Sequence, residues 1–344
     1  MTPLPTHFDA GRVAEIFRVP YLELAAEARR YRETHGITKA STDTVRVGLL
    51  LIDVQNTFSI PGFELFVAGR SGMAAVHDSE RLCRFIYHNV GALTRIHATL
   101  DTHTAMQIFH SVFLVDRDGH HPPPMTEVTL ADVETGRWRV NPDVEEALGV
   151  GQDHLEHYCR SLTREGKFSL MVWPYHAMLG GVGHALVSSV EEALFFHNIA
   201  RSSQTAFELK GDHPATENYS VFRPEVEDDI AGRPLRPMNG GLVDTLLSYD
   251  ALVISGQAKS HCVSWTVLDL LAQIRARDET LAERIYLLED CTSPVVVPGV
   301  VDFTDQADRQ FKELEACGMH LVRSSEPIES WPAFPVPALA RERR

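Results

Sequence analysis

The sequence has no C-x-x-C pair, no apolar run of membrane-spanning length and no surplus of positive charge. Each absence removes a class of protein. Five cysteines, Cys83, Cys159, Cys262, Cys291 and Cys317, are odd in number and widely scattered. That argues against a disulfide framework and for a reduced compartment. Without a long apolar run there is no candidate membrane-spanning helix. The opening residues MTPLPTHFDAGRV have neither the basic start nor the apolar core of a signal peptide, so a cytoplasmic protein is expected. Forty-seven Asp and Glu against 32 Lys and Arg give a formal charge of −15, which disfavours nucleic acid or an anionic membrane as partner.

What remains is a chain of 344 residues, long enough for two domains or for one large α/β domain with insertions. Residues 1–44 read as a helical extension, with RVAEIFRVPYLELAAEARRYRETHG helical up to Gly36. A domain over 45–325 follows, opening with VRVGLLLID, an apolar run of the kind a strand buried on both faces shows. MAAVHDSERLCRFIYHNVGALTRI is an amphipathic helix and HATLD a second strand. Over about 111–167 the pattern loosens into an insertion with one short helix, PDVEEALG. Its His120 and His121, beside three prolines, read as a solvated loop. Helices VSSVEEALFFHNIAR, GGLVDTLLSY and FTDQADRQFKELEACG then alternate with strands TAFELK, ALVISG, RIYLLED and MHLVRS. The residues after 325 form a tail whose end, PVPALARERR, is expected to fray. Alternation of this kind predicts a three-layer α/β/α, doubly wound, mostly parallel six-stranded sheet. GGVGHAL contains G-x-G but does not follow a strand, so it is not a dinucleotide fingerprint.

In such a sheet ligands bind beyond the carboxyl ends of the strands. Four predicted strands end in reactive residues: Asp53, Asp101, Lys210 and, just past LVISG, Cys262. A cysteine is commonly a small apolar filler, but Cys262 lies where a strand hands over to the helix SWTVLDLL. A helix N-terminus and a nearby lysine both favour a thiolate. Asp53, Lys210 and Cys262 together describe a nucleophile with a proton acceptor and a cation. The backbone N–H groups of the turn, those of Ala258 and Cys262 included, are candidates for an oxyanion hole. In LDTH, Asp101 and His103 point to one side of an extended segment. With a further imidazole such a pair is a donor set for Zn, Mn or Fe. Periodicity alone does not make His176 of WPYH that third ligand.

LLLIDVQNTF, TLDTH, VWPYHAMLGGVGHAL, LKGDHPATENYSVF and VISGQAKSHCVSWTVLDL resemble, in order, segments of the isochorismatase-like cysteine hydrolases, and among them the nicotinamidases. The resemblance spans roughly 46–325, one α/β domain, and implies the isochorismatase-like hydrolase fold. It implies Asp53 as general base, Lys210 as the lysine and Cys262 as nucleophile, with a divalent metal (Zn, Mn or Fe) on Asp101, His103 and His176. A cis peptide is implied between Gln257 and Ala258. Phe58, Trp173, Tyr219 and Gln257 are implied to border the substrate pocket. The implied activity is metal-dependent hydrolysis of a small amide, nicotinamide first, through a cysteine thioester, in a homo-oligomeric enzyme.

The chain departs from the pattern in several places. Many nicotinamidases carry a further histidine after D-x-H; here TAMQIFH leaves Gln107 or His110 near that place. Ala177 stands where a cysteine is common, and the extension and insertion are unusual. Two other readings stay open: another amidase of the superfamily acting on a carbamoyl or acyl amide without a metal, and a non-catalytic scaffold. A vinyl-ether hydrolase fits less well, because that chemistry has no need of the cysteine.

Overall fold

The computed structural model describes residues 1–335; most of the tail expected to fray lies outside them. Six strands form one sheet: β1 (Val47–Ile52), β2 (Leu93–Asp101), β3 (Ala206–Lys210), β4 (Ala251–Gly256), β5 (Ile285–Leu288) and β6 (His320–Val322). Their spatial order is β6-β5-β4-β1-β2-β3, and every pairing is parallel. The order reverses at β1, between β4 and β2, which opens a crevice at the carboxyl end of the sheet.

Helices α1 (Tyr21–Thr34), α2 (Ala74–His88), α3 (Gln152–Arg164), α4 (Ser188–Arg201), α5 (Gly240–Leu247), α6 (Ser264–Arg277) and α7 (Thr304–Ala316) cover both faces. The alternation of side chains along a strand divides the core between them. Leu50 and Ile52 of β1 join the cluster under α3, α5, α6 and α7. Leu49 and Leu51 join the one under α1, α2 and α4. Every residue of β1 and of β4 is buried, which is why both read as unbroken apolar runs.

Three expectations need correcting. The N-terminal helix covers 21–34 rather than 12–36, because Pro20 disfavours helix in the residue before it, and α1 starts just after. Its Leu24, Ala28 and Tyr31 are buried in the α2–α4 cluster. The helix read over 73–96 ends at His88, and β2 already begins at Leu93; the turn through Gly91 separates them. The insertion is far more ordered than its composition implies. It contains α3 and contributes to two small antiparallel pairs, Leu114–Val115 with Arg139–Val140 and Glu127–Val128 with Leu170–Met171. Leu155, Tyr158, Cys159 and Leu162 of α3 are buried in the core. Their spacing is the helical signal that marks α3 in the sequence.

Candidate active site

Parallel strands in one register bring their last residues to one edge, and Asp101 lies directly opposite Lys210. Lys210 is the hub. Its Nζ donates to Asp101 Oδ1 at 2.9 Å and to the backbone carbonyl of Asn218 at 2.9 Å. It also stands 3.5 Å from Cys262 Sγ and 3.0 Å from Asp53 Oδ2. The contact with Asp53 is an ion pair rather than an aligned hydrogen bond, and Oδ2 has no hydrogen-bond donor of its own. Thr99 donates its hydroxyl to the other oxygen, Oδ1. All four side chains are buried. The carboxylate, ammonium and thiol expected from three strand ends do meet in one place.

Burial at this hub acts against charge on every member, and the outcome differs from one to the next. It opposes the Lys210 ammonium, but Asp101, Asp53 and Cys262 outweigh it and hold the lysine pKa well above its ordinary value. It pushes the Asp53 carboxyl up, against Lys210. It pushes the Cys262 thiol well up too, with Lys210 opposing and the two aspartates adding. Desolvation at the helix entry thus works against the thiolate expected there. Cys262 sits in a π-helical turn, Lys259–Val263, just ahead of α6, and desolvation there exceeds what one lysine and a helix end return. The thiol can ionise only by handing its proton to a neighbour, and Asp53 Oδ2 is free to accept it.

The turn before the thiol carries the expected cis peptide between Gln257 and Ala258. Among the described residues the Ala258 N–H donates to no carbonyl, as an oxyanion donor must. Ala258 and Cys262 line a cavity of about 230 Å³ together with Phe58, Trp173 and Tyr219. Gln257 does not line it: its Nε2 donates to Asp78 Oδ2 at 2.9 Å, behind the turn. Two segments complete the wall, the turn Glu64 to Val67 and Val295 to Val297, whose last two residues pair antiparallel with Val301–Asp302. The insertion adds Met125.

Asp101, His103 and His176 stand at one end of the cavity, with one potential ligand atom each inside a 4.8 Å group. Gln55 clamps the Asp101 backbone from both sides, accepting from its N–H and donating to its carbonyl, each at 2.8 Å. His103 Nδ1 faces the Gly211 carbonyl at 3.1 Å and His176 Nδ1 the Pro174 carbonyl at 2.8 Å. A carbonyl needs a donor, so both Nδ1 atoms carry a proton, and both Nε2 atoms face Asp101 Oδ2, at 2.8 Å for His103 and 3.7 Å for His176. Two ring nitrogens and a carboxylate oxygen converging in this way are a donor set that a divalent cation would bridge. Burial favours neutral His176, as a ligand must be. A Cβ on Gly211 would lie 2.7 Å from both Asp101 Oδ1 and His103 Cε1, so only glycine leaves the cluster its room. The residues fit a divalent metal.

Of the two positions left open after D-x-H, Gln107 is committed to the backbone, donating to the Gly211 carbonyl and accepting from Thr104 N–H. His110 is committed at one nitrogen only: Nδ1 faces the Ala105 carbonyl at 3.1 Å, while its ring lies 6.0 Å from His103 and 6.1 Å from His176 and its buried Nε2 has no partner. Burial lowers its pKa to about 3, leaving a neutral nitrogen beside the cluster. His120 belongs to an exposed loop group with Asp116 and Asp118, and His121 Nδ1 faces the Leu114 carbonyl.

Beyond Pro174, Met125 and the segments Glu64 to Val67 and Val295 to Val297, the wall holds three further residues that sequence reasoning does not single out: Glu217, Asn218 and His261. Glu217 accepts from Trp173 Nε1 at 2.9 Å, and burial, reinforced by Glu225, raises its pKa well above the ordinary range. His261 is neutral, its pKa lowered by burial to about 4. Spacing offered a signal for one of them, since Glu217 and Tyr219 alternate across Asn218 in ATENYS.

No family model and no curated protein matches the chain. Solved structures do. A nicotinamidase pyrazinamidase of Acinetobacter baumanii is 18% identical, over 83% of this chain and 99% of that one, with a TM-score of 0.48. The yeast nicotinamidase is 18% identical over 80% and 99%, also at 0.48. An N-carbamoylsarcosine amidase from Thermoplasma acidophilum is 14% identical over 82% and 99%, at 0.40. Likenesses of this extent carry no weight for activity, which has to be read from the side chains.

Proposed function

We propose that the chain is a cysteine amidohydrolase that cleaves a neutral, planar heteroaromatic carboxamide, nicotinamide first among them, to the acid and ammonia. The observation that carries this reading is the Lys210 ammonium, in contact with Asp53 and with Cys262 and Asp101, the latter two lining an apolar cavity. Cys262 gives its proton to Asp53 and its sulfur adds to the carboxamide carbon. N–H groups of the turn, Ala258 and Cys262, receive the oxyanion. Collapse breaks the C–N bond, and Asp53 returns the proton to the departing ammonia. Asp53 then deprotonates water, which adds to the thioester; the sulfur leaves and regains a proton. Lys210 balances the charge on sulfur throughout. A divalent metal on Asp101, His103 and His176 would supply a Lewis-acid contact that orients a ring nitrogen.

The lining bears on the rival amidase reading. Among the described residues it contains Glu64, Asp101 and Glu217 but no Lys or Arg. N-carbamoyl amino acids carry a carboxylate, and nothing in that wall would compensate it. Ammonia release from nicotinamide, pyrazinamide, simple aliphatic amides and an N-carbamoyl amino acid, with and without chelator, separates the readings. The heteroaromatic amides should lead and lose rate on chelation. Preference for the N-carbamoyl acid, or indifference to the chelator, would favour the metal-free amidase. An enzyme inert toward all of them, with a Cys262 thiol inert to mild alkylation, would favour the scaffold.

A further inference from the structure

Asn218 is 4% exposed and lines the cavity, yet among the described residues its side chain makes no hydrogen bond and its Oδ1 is buried without a partner. A buried acceptor left empty is costly unless something arrives to fill it. Other polar groups of this wall are occupied: Glu217 Oε1 by Trp173 Nε1, and His261 Nδ1 by Ser260 Oγ at 2.8 Å. Where Asn218 sits indicates what it meets. Its own carbonyl accepts from Lys210 Nζ at 2.9 Å, and that same nitrogen is 3.5 Å from Cys262 Sγ. The backbone of the residue is thus tethered to the same ammonium that touches the attacking sulfur.

We propose that the Asn218 side-chain amide selects the leaving group, its oxygen accepting an N–H of the substrate's primary carboxamide as the carbon meets Cys262. This rests on the amidohydrolase reading and deepens it. An ester of the same acid has no N–H to offer, so Asn218 sets a preference for amides over esters; the thiol and Asp53 alone would cleave either.

The test compares wild type with Asn218→Ala and Asn218→Asp, using nicotinamide and methyl nicotinate. Asn218→Ala should lower kcat/KM for the amide by roughly 10- to 100-fold while changing the ester by less than about threefold. Asn218→Asp keeps the acceptor in nearly the same shape and should recover part of the amide rate. Equal losses on both substrates, or no loss on the amide, would overturn the proposal while leaving the hydrolase intact. Binding of nicotinamide is measured separately in Cys262→Ala with and without Asn218→Ala, by calorimetry. If wild type releases no ammonia but the second substitution still weakens binding about tenfold or more, the hydrolase reading falls and Asn218 stands as the carboxamide contact. If Cys262→Ala does not bind nicotinamide and wild type does not cleave it, both fall.

Discussion

Strand β2 has a buried cation at each end, and the two are built differently. At its start the Leu93 carbonyl accepts from Arg201, which also donates to the Thr38 carbonyl and hydroxyl and to both oxygens of Asp43. Arg201 is fully buried and its guanidinium is spent on fixed partners. At the strand's end Asp101 meets Lys210, whose single ammonium is shared among two carboxylates, a carbonyl and a thiol. One cluster closes the hydrogen-bond accounts of a turn; the other leaves Asp53 Oδ2 without a donor and a sulfur facing a cavity. Burial of a charge is common to both. Unused capacity next to open space marks the second as a place for chemistry.

Methionine in place of each cation should separate the two roles. Lys210→Met removes the counter-charge of the sulfur, and ammonia release should fall by about 10³-fold or more. Its fold should survive, because once the ammonium is gone Asp53, which burial disfavours as a carboxylate, can take up a proton, while Asp101 keeps His103 and His176 beside it. Arg201→Met leaves Asp43 without its buried partner and should cost roughly 3–5 kcal/mol in urea unfolding, with kcat on the surviving folded fraction little changed. The reverse pattern, stability lost at Lys210 and rate lost at Arg201, would dissolve the distinction.

The smallest effect concerns acid. Beside Arg201, His197 Nε2 faces the Leu93 carbonyl, and further along β2 His97 Nε2 faces the Tyr249 hydroxyl. Burial lowers both pKa values from 6.5 to about 4. The folded state thus resists a proton that the unfolded chain accepts. Their contribution is complete above pH 6.5 and is lost as pH falls toward 4, at roughly 1.4 kcal/mol per pH unit per histidine. His197→Gln should make the dependence of unfolding free energy on pH shallower by about one such slope over that window. An unchanged slope would mean that His197 is protonated in the fold.

Much of this was legible because it depends on strand ends. A run such as VGLLLI is of the kind a strand buried on both faces shows, and the residue that ends or follows such a strand falls at one edge of a parallel sheet, which groups Asp53, Asp101, Lys210 and Cys262. What escaped depends on tertiary contacts. The desolvation that works against a Cys262 thiolate is something no spacing reports. Gln257 and Ala258 adjoin in sequence, yet the glutamine reaches back to Asp78 while the alanine faces the cavity. Asn218 is distinguished only by lacking a partner, and that is known once every neighbour is placed. The start of β2 was missed because LTRI continues the helical rhythm of α2 well enough to hide the turn at Gly91.

The most direct measurement is ammonia release from nicotinamide by the wild-type protein and by Cys262→Ala, each checked for an unchanged melting midpoint. Wild type should turn over, and Cys262→Ala should fall by at least about 10⁴-fold with the fold intact. Appreciable release by the alanine variant would mean that the thiol beside Lys210 and Asp53 is not the nucleophile.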